Sequence, residues 1–352
     1  MSINTLKIYD KEVGIGQPVF IIAEAGVNHN GDIQQAKRLV CEAKACGADC
    51  VKFQFWKTER HLVKNAPKAA YQLKTTSAQE SQFEMLQKLE LSDAEHRELY
   101  AFCRKEGIIY LSSTCDTLGI DFLESLPVSA HKVASPNIIE NYFLEYIAQK
   151  GKPILLSTGM CNMAEVEEAV NTVRQAGNDR IVVLQCTTNY PSALEDTNLR
   201  AMQAMGKAFN VLVGYSDHSP SLIAAPAAVA LGACIIEKHF TLDKNLPGPD
   251  QASSLEPAEF TQLVRNIREV EACLGSDVKE PSVIEMENAK VARRSIVAKT
   301  LIRKGERLTV DNLTLKRPAA GLAAKQLKQI IGKKSVRNLT PDTVIRFDML
   351  QG

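Results

Sequence analysis

The sequence predicts an α/β fold, a closed (β/α)8 barrel of the TIM type followed by a smaller module, on three observations. Eight short apolar runs each precede a helical stretch, a pattern that requires parallel strands joined by crossover helices. No Gly-x-Gly-x-x-Gly follows the first run, which disfavours the open, doubly wound sheet of dinucleotide-binding proteins. The 352 residues exceed the roughly 250 of one barrel, and the chain changes character near residue 280.

The elements follow in order. After a polar start with the pattern of a small hairpin, the apolar run 19–23 ends in Glu24, and the turn-rich Gly26-Val27-Asn28-His29-Asn30-Gly31 comes next. A helix over 33–46 places Ala36, Leu39, Val40 and Ala43 on one stripe. The run 50–55 carries Lys52 and Gln54 on a common face, because side chains alternate along a strand. The stretch 57–92 is long for a connection and rich in Lys, Gln and Ser, with a helix expected over 79–89. Insertions of this kind after a barrel strand serve as lids or substrate loops. A helix over 94–105 resumes the alternation. Strands are expected at 108–113, 131–134, 154–157, 181–186, 211–215 and 234–237, separated by helices over 118–126, 138–150, 164–176, 199–208 and 222–231. A last helix covers 257–274, with Gly275 as its C-cap. The expected organisation is a barrel over 1–280, a charged, Pro-containing linker over 281–293, and a compact module of short pieces and frequent turns over 294–352.

Composition narrows the function. Hydrophobic residues make up 45% of the chain, enough for a sizeable core. With 42 Lys and Arg against 41 Asp and Glu, the net charge of +1 offers no global attraction to nucleic acid or membrane, so any anion site is local. The nine cysteines show no CxxC pairs or regular spacing, which argues for reduced thiols rather than a disulfide framework or a zinc ribbon. The N-terminus lacks the basic flank and apolar core of a signal peptide, and no apolar run approaches the ~20 residues of a membrane span. The expectation is a soluble cytoplasmic protein.

The chemistry is expected at the C-terminal ends of the strands. Those ends carry Glu24, then Lys52 and Gln54, Ser113 and Thr114, Lys132 and Ser135, Ser157 and Thr158, and Thr187 and Thr188. The last two runs end in Ser216-Asp217-His218 and Glu237-Lys238-His239. Lysines with hydroxyls suit a small molecule bearing phosphate and carboxylate. Two histidines from successive strands, with a carboxylate nearby, suit a divalent ion acting as a Lewis acid. Either histidine alone is better explained as a satisfied strand-end side chain; the case for a metal rests on the pair and on the polar strand ends around it. Lys52 is the stronger anion ligand, since Lys238 alternates away from Glu237 and His239 and points toward the helices. Gly159 and Gly214 read as turn and packing positions. Asn28-His29-Asn30-Gly31 fits a ligand loop or a plain βα turn equally well, and Cys186 has no obvious base to make it a nucleophile.

Five ordered motifs then stand out: Ala23-Glu24-Ala25-Gly26-Val27-Asn28-His29-Asn30-Gly31, Val51-Lys52-Phe53-Gln54, Leu156-Ser157-Thr158-Gly159-Met160, Gly214-Tyr215-Ser216-Asp217-His218, and Glu237-Lys238-His239-Phe240-Thr241 with Gly248-Pro249-Asp250. Together they closely resemble the sialic acid synthase family, and the tail resembles that family's antifreeze-like (SAF) domain. The resemblance spans essentially the whole chain. It implies condensation of phosphoenolpyruvate with an N-acylated amino sugar such as N-acetylmannosamine, giving a nine-carbon 2-keto-3-deoxy acid and phosphate by C–O cleavage. It implies that His218 and His239 bind a divalent metal, manganese or magnesium. By the same resemblance Lys52, Thr114, Lys132, Ser135, Ser157 and Ser216 hold phosphoenolpyruvate. Gln54, Tyr190 and Asp250 line the sugar side, with Glu24 handling protons and orienting water. It further implies a domain-swapped homodimer in which Arg317, from Lys316-Arg317-Pro318, reaches the sugar's acyl group in the other subunit.

Two departures bear on the acceptor. Many members carry Ser-Gly-Glu after the fourth strand, where this chain has Ser135-Pro136-Asn137; some have Cys-Thr-Asn where this chain has Cys186-Thr187-Thr188. The expectation places N-acetylmannosamine first and a diamino-sugar precursor of legionaminic or pseudaminic acid second. Rival readings are a synthase acting on a sugar phosphate, a simple aldolase, and a non-catalytic carbohydrate-binding protein.

Overall fold

The computed structural model describes residues 4–77 and 79–351; Met1 to Ile3, on which part of the signal-peptide reading rests, lie outside them. The chain opens with an antiparallel hairpin, β1 (Thr5–Ile8) and β2 (Lys11–Gly14). Eight parallel strands then close into a barrel: β3 (Phe20–Gly26), β4 (Cys50–Phe55), β5 (Ile109–Thr114), β6 (His131–Val133), β7 (Ile154–Ser157), β8 (Ile181–Cys186), β9 (Leu212–Asp217) and β10 (Ile235–His239). The ring is completed by β10 pairing with β3.

Helices separate the strands as the periodicity predicts. They are α1 (Ile33–Ala45) after β3; α2 (Thr58–His61), α3 (Gln72–Thr75), α4 (Gln82–Leu89) and α5 (Asp93–Glu106) after β4; and α6 (Thr117–Glu124) after β5. Then come α7 (Asn141–Ala148), α8 (Met163–Gln175), α9 (Leu199–Phe209), α10 (Ala224–Ala230) and α11 (Pro257–Leu274). Caps set the boundaries. Ser81 with Glu84, and Ser92 with Glu95, form reciprocal capping boxes, which is why α4 starts three residues later than its apolar pattern suggests. Gly107 ends α5 in the left-handed region at φ 73°, where a side chain would be strained.

The barrel interior is filled from its N-terminal end. Phe20, Ile22, Cys50, Leu111, Leu155 and Ile235 form one buried cluster with Leu6, Ile8 and Val13, so the hairpin packs as the barrel's bottom plug. The outward-facing residues of the same strands, such as Ile21, Ala23, Val51 and Phe53, pack against the helices. No helix among the described residues is long and apolar enough to cross a membrane.

A second compact unit begins at Ser276. Its first element occupies the expected linker: α12 (Val283–Ala292) is a helix, started by a Ser282–Glu285 capping box, and none of its residues is buried. Beyond it, β11 (Ser295–Ala298) pairs with β12 (Leu313–Lys316), followed by α13 (Leu327–Ile330) and the short pair β13 (Lys334–Ser335) and β14 (Leu350–Gln351). Ile296, Ile302, Leu308, Leu322, Leu339 and Ile345 form its separate core.

Candidate active site

The inward face of each strand is apolar at the bottom of the barrel and turns polar at the top. Ile22 is followed two positions on by Glu24, Cys50 by Lys52 and Gln54, Leu155 by Ser157, and Ile235 by Glu237 and His239. These residues, with Thr114, Lys132, Ser135, Tyr190, Ser216, His218 and Asp250, line one cavity of about 300 Å³. Every residue of the first unit to which the resemblance gives a role therefore lines this cavity. Arg317 is exposed just beyond β12 of the second unit.

One side of the cavity is built for anions. Lys52 Nζ lies 2.7 Å from Glu24 Oε2, and Gln54 Nε2 donates to Glu24 Oε1 at 3.0 Å. Lys132 Nζ donates to Ser157 Oγ at 2.7 Å. Burial lowers Lys132 from its ordinary range, against the pull of Glu237, whereas Glu237 and Glu24 together overcome burial at Lys52 and raise it. Burial drives Glu24 upward against the pull of Lys52. The backbone N–H of Gly159 donates to Ser135 Oγ at 3.0 Å, and a Cβ at Gly159 would fall 2.1 Å from Thr188 Oγ1. Glycine at 159 thus permits a close approach and cradles nothing itself.

The other side carries the imidazoles. The His218 and His239 rings are 5.3 Å apart, and the Tyr190 ring lies 4.1 Å from that of His218. His218 Nδ1 donates to Thr187 O at 2.8 Å, which leaves Nε2 as the nitrogen free of that bond; against burial, which lowers it, Cys186 and Thr187 O raise this imidazole above its ordinary range. His239 Nδ1 is buried without a hydrogen-bond partner and lies 4.0 Å from Asp250 Oδ2. Burial, with His218 beside it, holds His239 well below the usual imidazole range and so neutral; burial, aided by Glu24, pushes Asp250 up to about 6. Thr114 Oγ1, Thr188 Oγ1, Glu237 Oε2 and His239 Nδ1 all lack partners and all belong to residues lining this cavity. Buried polar atoms without partners are rare in folded proteins and mark places where a ligand completes the bonding.

The model described as the NeuB family matches residues 39–279, and that of the SAF domain matches residues 293–351. The chain belongs to the NeuB family. Similar family members include the N,N'-diacetyllegionaminic acid synthases of Campylobacter jejuni, 46% identical over 93% of this chain and 98% of that one, and of Legionella pneumophila, 42% identical over 97% of each. A solved structure, the N-acetylneuraminic acid synthetase of Leptospira borgpetersenii, superposes with a TM-score of 0.73 at 31% identity, covering 82% of this chain and 95% of that one. The NeuB chain is an enzyme, a synthase, and the binding-protein alternative falls away.

Within this NeuB barrel the residues fit a divalent ion of the kind the resemblance implies. A free imidazole nitrogen on His218, an unpartnered one on His239 and the Asp250 carboxylate converge on the same wall. Among the described residues, no preformed group of three or more His, Cys, Asp or Glu ligands stands ready, so the two imidazoles would be the nitrogen donors of an open site.

Lys238 turns away, as strand alternation predicts, and its Nζ lies 2.7 Å from Asp217 Oδ2. Asn28 is structural: its Nδ2 donates to Phe240 O at 2.9 Å and Ser254 Oγ at 2.8 Å, clamping the loop that bears Asp250. Asn137 lines the cavity with its Nδ2 tied to Glu140 Oε1 at 3.0 Å. Cys186 also lines it, its Sγ 3.8 Å from His218 Nδ1. The sequence assigned nothing to His61, Tyr71 and Gln72, which the 57–92 insertion contributes to the cavity wall; Tyr71 packs on Tyr190 with rings 5.0 Å apart. The length of the insertion after β4 was the one available signal.

Proposed function

We propose that this enzyme condenses phosphoenolpyruvate with an N-acylated amino sugar and water, releasing phosphate and a nonulosonic acid. The observation that carries the reading is one cavity that gathers lysines and hydroxyls together with two imidazoles, Asp250, Gln54 and Tyr190. Lys52, Lys132, Thr114, Ser135, Ser157 and Ser216 would hold the phosphate and carboxylate by charge-assisted hydrogen bonds. Gln54, Tyr190 and Asp250 would orient the sugar so that its aldehyde carbon meets C3 of phosphoenolpyruvate. Glu24, kept above the usual carboxylate range by burial, would accept and return a proton while orienting the water that adds at C2. Phosphate then leaves by C–O cleavage. His218 and His239 would hold a divalent ion, manganese or magnesium, which when bound supplies Lewis acidity toward the aldehyde oxygen.

The acceptor we favour is a 2,4-diacetamido-hexose, because the relatives at 46% and 42% identity are N,N'-diacetyllegionaminic acid synthases. N-acetylmannosamine, placed first by the sequence, is the second reading, supported by the N-acetylneuraminic acid synthetase structure. The nine cysteines are all free, which suits the cytoplasm. A domain-swapped homodimer with Arg317 reaching the partner's cavity is supported by charge. Residues 276–352 hold 16 Lys and Arg against 8 Asp and Glu, so the second unit is basic and the barrel unit acidic.

The test is phosphate release from phosphoenolpyruvate with manganese, offered 2,4-diacetamido-hexoses, N-acetylmannosamine and its 6-phosphate. Release with a diacetamido sugar is expected. Release with N-acetylmannosamine alone selects the second reading, release only with the 6-phosphate points to the sugar-phosphate rival, and silence across the panel refutes the proposal.

A further inference from the structure

The floor of the cavity holds a charge arrangement that the roles above leave unexplained. Glu237 stands between two lysines, its Oε2 3.7 Å from Lys52 Nζ and its Oε1 3.7 Å from Lys132 Nζ. Neither distance is that of a direct hydrogen bond. Both ammonium groups take their close partners elsewhere, Lys52 with Glu24 at 2.7 Å and Lys132 with Ser157 Oγ at 2.7 Å. The Glu237 carboxylate is itself fixed by one hydrogen bond, from Ser216 Oγ at 3.0 Å, and its Oε2 accepts none. It is 5% exposed, so solvent does little to stabilise it.

The neighbouring position on the same strand shows what a closed ion pair looks like in this barrel. Lys238 and Asp217, on the outward face, meet at 2.7 Å, and Ser219 O accepts a further hydrogen bond from the same Nζ. The inward arrangement is open by comparison. Its lysine protons are not committed to Glu237, and an anion can take them without breaking a hydrogen bond to that carboxylate. Two buried ammonium groups facing one cavity repel each other, and a negative charge between them relieves that repulsion. The same charge then stands close to any anion that the lysines bind, and opposes it.

We propose that Glu237 is a positioning residue, a resident counter-charge that keeps Lys52 and Lys132 assembled without substrate and holds their grip on phosphate weak enough for release. The inference rests on the anion-binding reading of this wall and adds to it a control on product departure.

The experiment is calorimetric titration of inorganic phosphate into the full-length protein at pH 6.5. Wild type is compared with Glu237→Gln and Glu237→Asp, each checked for folding by circular dichroism. Glu237→Gln removes the charge and keeps the shape, and is expected to bind phosphate about tenfold tighter. Glu237→Asp withdraws the carboxylate from both ammonium groups and is expected to tighten binding by a smaller factor, so it decides the matter if the Gln variant does not fold. In turnover, Glu237→Gln should lower KM for phosphoenolpyruvate and kcat together and make phosphate a stronger inhibitor. A carboxylate with a merely structural role would not produce that split. Unchanged or weaker phosphate binding by a folded variant overturns the inference alone. Absence of phosphate binding by wild type overturns the anion-site reading and this inference with it.

Discussion

His218 shows how much one side chain is asked to do. Its Nδ1 is spent on Thr187 O, its ring lies against Tyr190, and Nε2 is the nitrogen left over. Replacing it with alanine is expected to lower kcat/KM for the condensation by at least about a thousandfold, the scale of losing Lewis-acid stabilisation of a developing charge. The melting temperature should hold, because the residue follows β9 and supports no packing in the lower barrel. Unchanged turnover would remove the metal role assigned to it. Single residues were legible from the sequence where strand alternation applied: Lys52 faces in with Gln54, and Lys238 faces out. Asn28 was not, because a side chain that clamps a loop more than two hundred residues away leaves no local signal.

At the scale of elements, the strands and helices came through because period-two and period-3.6 patterns follow directly from burial on one face. The boundaries came from capping. Asn162 accepts hydrogen bonds from the backbone of Ala164 and Glu165 and pairs reciprocally with Glu165 to start α8, the helix that follows β7 and Ser157. Asn162→Ala is expected to cost about 1 kcal/mol. By differential scanning calorimetry that should read as a fall in melting temperature of about 2–4 °C for a domain of this size. An unchanged transition would show that packing of Val166, Ala169 and Val170 alone sets the helix. The helix α12 leaves no periodic signal in the sequence because it lacks a buried stripe: Val283, Ile284 and Val291 are all exposed, and its charged residues resemble those of a linker.

For the whole molecule, the two units differ in charge and in core, and each has its own buried cluster. A fragment ending near Pro281 is expected to fold, since the barrel closes on itself through β10 and β3 and is plugged by its own hairpin. It is also expected to lose turnover, because Arg317 and the rest of the basic unit are gone. Full turnover by the fragment, measured as phosphate release beside the intact chain, would rule out the catalytic dimer. Analytical ultracentrifugation of the intact chain at low and high salt tests the charge argument. The dimer should weaken as salt rises, and a salt-independent monomer would end it.

The sequence by itself determined the barrel, the module behind it and nearly all the residues that meet in the cavity, because strand order, side-chain alternation and motif spacing are local properties of the chain. Only the tertiary structure decided how those residues are wired. Glu237 is held between two lysines from different strands, His239 is left with an unpartnered nitrogen, and Tyr71 is carried from the insertion onto Tyr190. Each depends on segments far apart in sequence that the closed barrel and the insertion after β4 bring to one cavity, and no single window of sequence contains them all.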